Sequence, residues 1–422
     1  MAETRFVALT IVAVALLLAL ARLTKIPPSI AWFAGGLASI LLPGPIPEIR
    51  VNPLIVLGLV LPPLLYAAIT NLPPSLLART AWRGVAMGAA WTLALTAACG
   101  YAAYLLLNLD PIACMAIGVA AAVAEPRVLT ESGLADRLPP AITESLSAQL
   151  ASAPLLGVSL SIWTAKQVGN PFPGLLPIAQ TLAYDLTAGC AAGIALGLAM
   201  AALRKRLDNP ATETALSLAT PFAAAALGEA IGASPIAPLI AAGLTLVVIR
   251  HREALNTEIA SPESRQLTSD LWRSLDTLLT GTLFFLMGRA IPEALAGTHA
   301  LPWPTLALTA LALMTLCWAV QFALSWLALA HPRSPPIPHA EGGCVPSWKA
   351  ACLLAGGSGR NVVALAIALA LPTTLPNGDP FWARDAVVAV VALMVVASAG
   401  LQWVGVPGLV RWVRPGAEDR AG

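Results

Sequence analysis

Apolar residues in this chain come in long runs separated by proline, glycine and charge. A helix that crosses a bilayer needs roughly 20 consecutive, mostly apolar residues. Runs of that kind fall at about 5–22, 29–43, 53–70, 82–107, 111–130, 141–164, 177–203, 213–231, 233–250, 268–291, 303–330, 346–372 and 383–411. They predict an all-α polytopic membrane protein of about thirteen transmembrane helices. The second run is short, and the two around Gly232 can be read as one interrupted segment, so twelve or fourteen spans are alternatives. Phe6–Leu20 reads as a first span, because it lacks a basic leader and a cleavage site.

Composition agrees with this pattern. The 422 residues are 58% hydrophobic and 11% charged, and mean hydropathy is +0.78. An average soluble domain carries about 25% charged residues, and a chain with so few could not cover its own surface in water. The net charge of +2 gives no field that would attract nucleic acid. Neither the six cysteines nor the four histidines have metal-ligand spacing, and no cofactor is implied.

Basic residues orient the spans. With the N-terminus outside, 17 of the 24 Lys and Arg fall in cytoplasmic segments, among them Arg22, Arg79, Arg137, Arg204–Arg206, Arg252 and Arg411. Five fall outside: Arg5, Arg50, Lys166, Arg289 and Arg384. This bias predicts an outside N-terminus and a cytoplasmic C-terminus. The absence of organelle signals suits a bacterial inner membrane. Residues 1–422 read as one membrane domain ending in a short cytoplasmic tail, 412–422.

Two spans contain residues that helices avoid. The fifth reads GVAAAVAEPRVLTES, with Glu125-Pro126-Arg127 inside it. Proline removes a backbone donor and disfavours helix at the residue before it. The twelfth reads LLAGGSGRNVVALAIALALP, where three glycines and Ser358 precede Arg360-Asn361. Unpaired backbone groups survive in a bilayer only when buried in protein or lining a wet cavity. The breaks lie seven spans apart, and an odd offset reverses direction through the membrane. The chain thus divides into two inverted six-helix repeats, about 5–164 and 213–411, joined by a linker helix, about 177–203, with broken helices 5 and 12. Secondary transporters bind substrate at the midplane between such repeats.

Charges inside spans are costly and mark cavities or partners. Glu144 opens the sixth span in ITESLSAQLASAP, where Ser145, Gln149 and Ser152 share one helical face. Oxygens there can replace part of a small cation's hydration shell, or merely line a packing face. Glu229 lies near the end of the eighth span. Arg273 and Asp276, three residues apart, are expected to pair. Asp185 lies in the seventh span with no evident partner. Trp82, Trp163, Trp272, Trp303, Trp348, Trp382 and Trp412 mostly flank spans, as interfacial anchors do.

In order and spacing, these segments resemble the monovalent cation/proton antiporters, the bacterial and eukaryotic sodium/proton exchanger family, over most of the chain. LPPLLYAAIT (61–70) is similar to the family's third-helix motif, and VAEPRVL (123–129) occupies the place of its Thr-Asp-Pro break. ESLSAQ (144–149) stands where the family has Glu-Ser-Leu-Leu-Asn-Asp. ALGEAIGASPIA, LWRSLDTLLTGTLFFLMG and GRNVVALAIALALP resemble later motifs, in the family's order.

The resemblance implies exchange of a monovalent cation, Na+ or another, for H+ by an elevator-like movement of a core domain against a dimerisation domain, in a homodimer. It places Glu125 at the ion-binding Asp and thus as a Na+ ligand, Ser145 at a serine ligand, and Gln149 at the titrating Asp. It also places Glu144 and Arg360 at a stabilising ion pair, and Pro126 and Asn361 at the helix breaks. This sequence departs from the family at Ala67 for an acid, Ala124 for Thr, Glu125 for Asp, Ala148-Gln149 for Asn-Asp, and Arg127 for an apolar residue. Glutamine coordinates through its carbonyl but carries no acidic proton. Glu125 is then left to bind either H+ or the cation. The departures equally support a second reading, a non-exchanging relative that senses a ligand or carries another small solute. No nucleophile–His–acid set points to an enzyme.

Overall fold

The computed structural model describes residues 2–24, 26–41, 56–70, 81–125, 138, 140–206, 209–255, 262–297, 301–331, 345–360 and 362–413. Helices fill nearly all of them. They are α1 (Ala2–Thr24), α2 (Pro28–Ala38), α3 (Leu61–Thr70), α4 (Ala81–Leu107), α5 (Pro111–Ala122) and α6 (Pro140–Gln167). Then come α7 (Leu175–Tyr184), a π turn (Asp185–Gly189) and α8 (Cys190–Arg204), which run on as one rod. There follow α9 (Pro210–Ala230), α10 (Ile236–Leu255), α11 (Pro262–Gly297), α12 (Trp303–Ala330) and α13 (Ser347–Gly357). The last two are α14 (Val362–Leu369) and α15 (Ala383–Val413). Each predicted run has a helical counterpart.

Local chemistry sets the boundaries. Asp110 caps α5 by accepting from the Ile112 amide at 3.0 Å, and Pro111 fills the first helical position. Between α9 and α10, Gly232 turns the chain with φ +72°, where a side chain would be strained. The run around Gly232 is thus two helices. Two features were not foreseen: a π turn at Val56–Val60 leads into α3, and a π turn at Asp185–Gly189 interrupts the seventh run.

Among the described residues, four helical stretches are long and apolar enough to cross a membrane by length and composition: Ala86–Leu107, Leu175–Arg204, Trp303–Ala330 and Ala383–Val413. Several other apolar helices are shorter, among them Pro111–Ala122, which ends at its break. Helices at the centre are apolar all round. Every residue of α14 is buried, as is the run Ala386–Ala392 of α15. Peripheral helices turn apolar stripes outward, with Leu9, Leu16, Leu20 and Leu23 of α1 at least half exposed. Lipid is the solvent that such stripes suit.

The tryptophans divide. Trp303, Trp348, Trp382 and Trp412 are exposed, as anchors should be. Trp272 is not an anchor: it is 1% exposed, packs on Tyr66 with ring centroids 4.9 Å apart, and donates to Ser217 Oγ at 3.0 Å. A partner for its indole N–H inside the protein is what permits that burial. Trp163 is likewise 7% exposed. The ion pair seen for Arg273 is with Asp270, one turn earlier, rather than with the expected Asp276.

Candidate functional site: the crossing of two interrupted helices

The break after α5 follows from proline. Pro126 pushes Glu125 out of helical geometry, so α5 ends at Ala122, Val123 is extended, and Ala124–Glu125 form β1. The break after α13 follows from glycine and serine. Ser358 is extended at φ −91°, ψ 96°, and Gly359–Arg360 form β2. The two extended pieces pair antiparallel, with Ala124 opposite Arg360 and Glu125 opposite Gly359. Each interruption supplies backbone partners that the other lost, which meets the requirement for irregular backbone in a membrane.

Arg360 ties the crossing together. It is 6% exposed. Its Nε donates to the Ala121 carbonyl at 2.7 Å, and its Nη1 to Gln321 Oε1 at 3.2 Å and to the Ser358 carbonyl at 3.1 Å. Ala121 lies in the last turn of α5, where carbonyls lack helical partners and carry partial negative charge. The guanidinium is thus a cap for α5, supplied from the other broken helix. The Arg360 amide donates to Ser398 Oγ at 2.9 Å, and Gln402 Nε2 donates to the Gly357 carbonyl at 3.0 Å. Ser398 and Gln402 are spaced i, i+4 on α15 and face the break together. Gly359 lies against Gln402 so closely that a Cβ there would strike its amide.

Two thiols complete the packing. Cys99 of α4 and Cys317 of α12 lie with sulfurs 3.4 Å apart, and Cys317 Sγ contacts the Ala121 carbonyl at 3.7 Å. Cys317 and Gln321 are again i, i+4. Gln321, Ser398 and Gln402 went unnoticed in the sequence, where the cysteines show only the lack of metal-ligand spacing. The signal for the α12 and α15 members is polar residues one turn apart in otherwise apolar helices.

The remaining candidates fall as follows. Ala124 is buried at the crossing. Glu125 has its backbone there, in β1. Its side chain, the side chains of Glu144, Ser145 and Gln149 on α6, and all of Pro126, Arg127 and Asn361 lie outside the described residues. Among the described residues, one guanidinium nitrogen of Arg360, Nη2, is buried without a hydrogen-bond partner. The side-chain bonds of Arg360 given above are to neutral oxygens, and its expected pairing with Glu144 falls outside the described residues. Glu229 is exposed near the end of α9, which packs mainly on α10 and α11. Ala67 is fully buried in α3.

Residues 9–412 match the family profile described as the sodium/hydrogen exchanger, transmembrane. The chain belongs to the sodium/hydrogen exchanger family. Its members are multi-pass membrane transporters rather than enzymes. The chain is 29% identical over 222 residues to an uncharacterized Na(+)/H(+) exchanger of Mycobacterium tuberculosis, covering 50% of this chain and 38% of that protein. It is 26% identical over 217 residues to the sodium, potassium, lithium and rubidium/H(+) antiporter of Bacillus pumilus, covering 48% of this chain and 30% of that one. The matched stretch is thus well under two thirds of either relative's length. The fold is that of the sodium proton antiporter MjNhaP1 from Methanocaldococcus jannaschii. With that structure at pH 8 the TM-score is 0.72 and identity 17%, covering 97% of this chain and 99% of that one.

Proposed function

We propose that this exchanger-family chain moves a monovalent cation, Na+ in the first instance, against H+ by alternating access at the crossing of its two broken helices. The observation that carries the reading is the crossing itself: a carboxylate-bearing break, Ala124–Glu125, paired in register with a guanidinium-bearing one, Gly359–Arg360. In this reading Glu125 binds either H+ or the cation. Ser145 and Gln149 add oxygens from α6, and Glu144 with Arg360 balances charge around the breaks. Pro126 and Asn361 keep the breaks open. Ala124 and Arg127 tune the ion site, and Glu229 stands outside it. A single carboxylate at the ion site itself, Glu125, favours one-for-one exchange.

The reading includes thirteen spans in two inverted six-helix repeats, with the rod of α7 and α8 as the linker between them. It also includes an outside N-terminus, a bacterial inner membrane and a homodimer. The names of the Mycobacterium and Bacillus relatives support the class of ion, and the second of them names four alkali cations. The count of basic residues supports the orientation.

The test is purified protein in proteoliposomes with an imposed pH gradient and Na+, K+ or Li+ added outside. Exchange should be abolished in Glu125→Gln, which keeps the size of the side chain and removes its proton chemistry. Undiminished exchange in that variant would overturn the reading. No cation-dependent proton flux in the wild-type protein would favour the sensor or solute carrier.

A further inference from the structure

The rod formed by α7 and α8 contains an acid that the crossing does not use. Asp185 is 2% exposed. It lies ten residues from Leu175, about 15 Å along the helix at 1.5 Å per residue, well inside an apolar rod. A carboxylate at such depth costs roughly 3 kcal/mol on insertion scales, and residues that bear the cost are usually functional. Asp185 also opens the π turn. Single π turns inside α-helices recur at functional sites, because the added residue displaces side chains from their helical register.

Two neighbouring helices meet this carboxyl. From the turn that leads into α10, the Ser234 amide donates to Asp185 Oδ1 at 2.7 Å. From α6, the Ser159 hydroxyl faces the carboxyl. Ser159 is 3% exposed, and among the described residues its Oγ makes no close hydrogen bond, the Asp185 carboxyl being the group it is turned to. A buried hydroxyl left unsatisfied beside a buried carboxyl needs an explanation. A small cation held between the two oxygens would provide one. The ionisable groups around Asp185 are few. Lys166, on α6 seven residues beyond Ser159, is exposed. Cys190 is a neutral thiol neighbour on the same rod. From the turn that leads into α10 comes Ser234, and the Tyr184 hydroxyl is engaged by the Ile231 carbonyl at 2.8 Å. Burial favours the neutral acid, whereas the amide at a helix start favours the anion.

The position relates this acid to the crossing. On α6, Gly157 lies against Val123 at the end of α5. Ser159 is two residues on, about 200° around the helix. α6 therefore stands between the two sites, and it is also the helix that carries Glu144, Ser145 and Gln149.

We propose that Asp185 and Ser159 form a second site for H+ and a monovalent cation, with Asp185 as the titrating acid that position 149 lacks. This rests on the exchange reading above for its role in transport, though not for its existence. The carboxyl releases its proton when the cation enters, so charge at the site is conserved for each ion bound.

The test is proton release on addition of NaCl, LiCl or KCl to purified protein in weakly buffered detergent, followed with a pH-indicator dye. Asp185→Asn keeps an oxygen for the Ser234 amide, so the helix start stays capped while the acid is lost. Wild-type protein should release about twice the protons of Glu125→Gln, and the remainder should vanish in Glu125→Gln/Asp185→Asn. Ser159→Ala should raise the cation concentration for half-maximal release in the Glu125→Gln background by about fivefold, the loss expected of one hydroxyl contact. Equal release from Glu125→Gln with and without Asp185→Asn would overturn the proposal. So would a large loss of melting temperature in Asp185→Ala with Asp185→Asn matching the wild type in every proton measurement, since Asp185 would then be only a helix cap. Release that depends on Asp185 in a protein inactive in proteoliposomes would keep the site and sink the exchange reading.

Discussion

The crossing of the broken helices and the contact between α2 and α11 both bring backbones together at close range, by opposite chemistry. At the crossing, extended segments pair and Arg360, Gln321, Ser398 and Gln402 satisfy the polar groups that the breaks release. Between α2 and α11 no helix is broken. Gly36 of α2 lies against the Phe285 carbonyl of α11, and Gly288 of α11 against the Phe33 carbonyl of α2, where a Cβ on either would collide. Small residues on facing helices are the usual way to bring intact backbones together in lipid. The difference is in what each contact leaves over. The glycine contact uses up its surfaces and has only packing to offer. The crossing keeps a buried nitrogen of Arg360 and the backbone of Glu125 in one place, so it retains a polar group that the contacts among the described residues have not used.

The comparison breaks most severely at Arg360. Replacing it with Met keeps much of the length and removes the charge, leaving the Ala121 carbonyl without its cap and Gln321 without its donor. A lost hydrogen bond to a charged group is worth about 1.5–3 kcal/mol, so a loss of about 3 kcal/mol or more is expected. Arg360→Lys should recover part of it, because an ammonium keeps the charge without the planar fork that reaches several acceptors. Thermal melts in detergent measure both. A melting temperature unchanged in Arg360→Met would mean that the crossing is held by packing alone.

Gly288→Ala examines the other side. The atom that a Cβ would meet is a backbone oxygen, which cannot swing aside as a side chain can. Overpacking of that kind costs about 1–3 kcal/mol. The expected result is a lower melting temperature, with less change in cation-induced proton release than the crossing variants show. Equal loss of both would mean that the two regions are not separable.

Much of this division can be read along the chain. Apolar run length predicts each described helix, because a bilayer demands continuous apolar helices and the code for them is coarse. The two breaks are equally legible, since Pro126 and the Gly356–Gly359 stretch act on their own neighbours. The residues that serve the breaks are harder to see. Gln321, Ser398 and Gln402 lie about 40 residues or more from the groups that they bond, and only the fold brings them there. Trp272 was misjudged for a related reason: an indole near a span end looks like an anchor until a partner such as Ser217 is found for it. Asp185 was visible as an acid in an apolar run, but neither its π turn nor its contacts with α6 and α10 follow from local pattern. The residues expected to hold the ion, Glu125, Ser145 and Gln149, rest on motif order, with a carboxylate and a guanidinium at matched breaks as the physical support.

The smallest effect expected is at Arg273. Sequence spacing pairs it with Asp276 three residues on, whereas its ion pair in the structure is with Asp270, at 3.6 Å and with both side chains more than half exposed. Exposed pairs gain little Coulomb energy in water, lose side-chain entropy, and are screened by salt. Arg273→Ala should therefore change stability by no more than about 0.5 kcal/mol, and added salt should shrink even that. If it instead lowers the melting temperature as far as Gly288→Ala does, Arg273 is packed in a way that its exposure denies. The contrast with Arg360 would then no longer be one of burial. The two arginines have the same side chain on membrane helices. One is predicted to be worth several kilocalories and the other almost nothing, because only one has left water and found fixed oxygens to replace it.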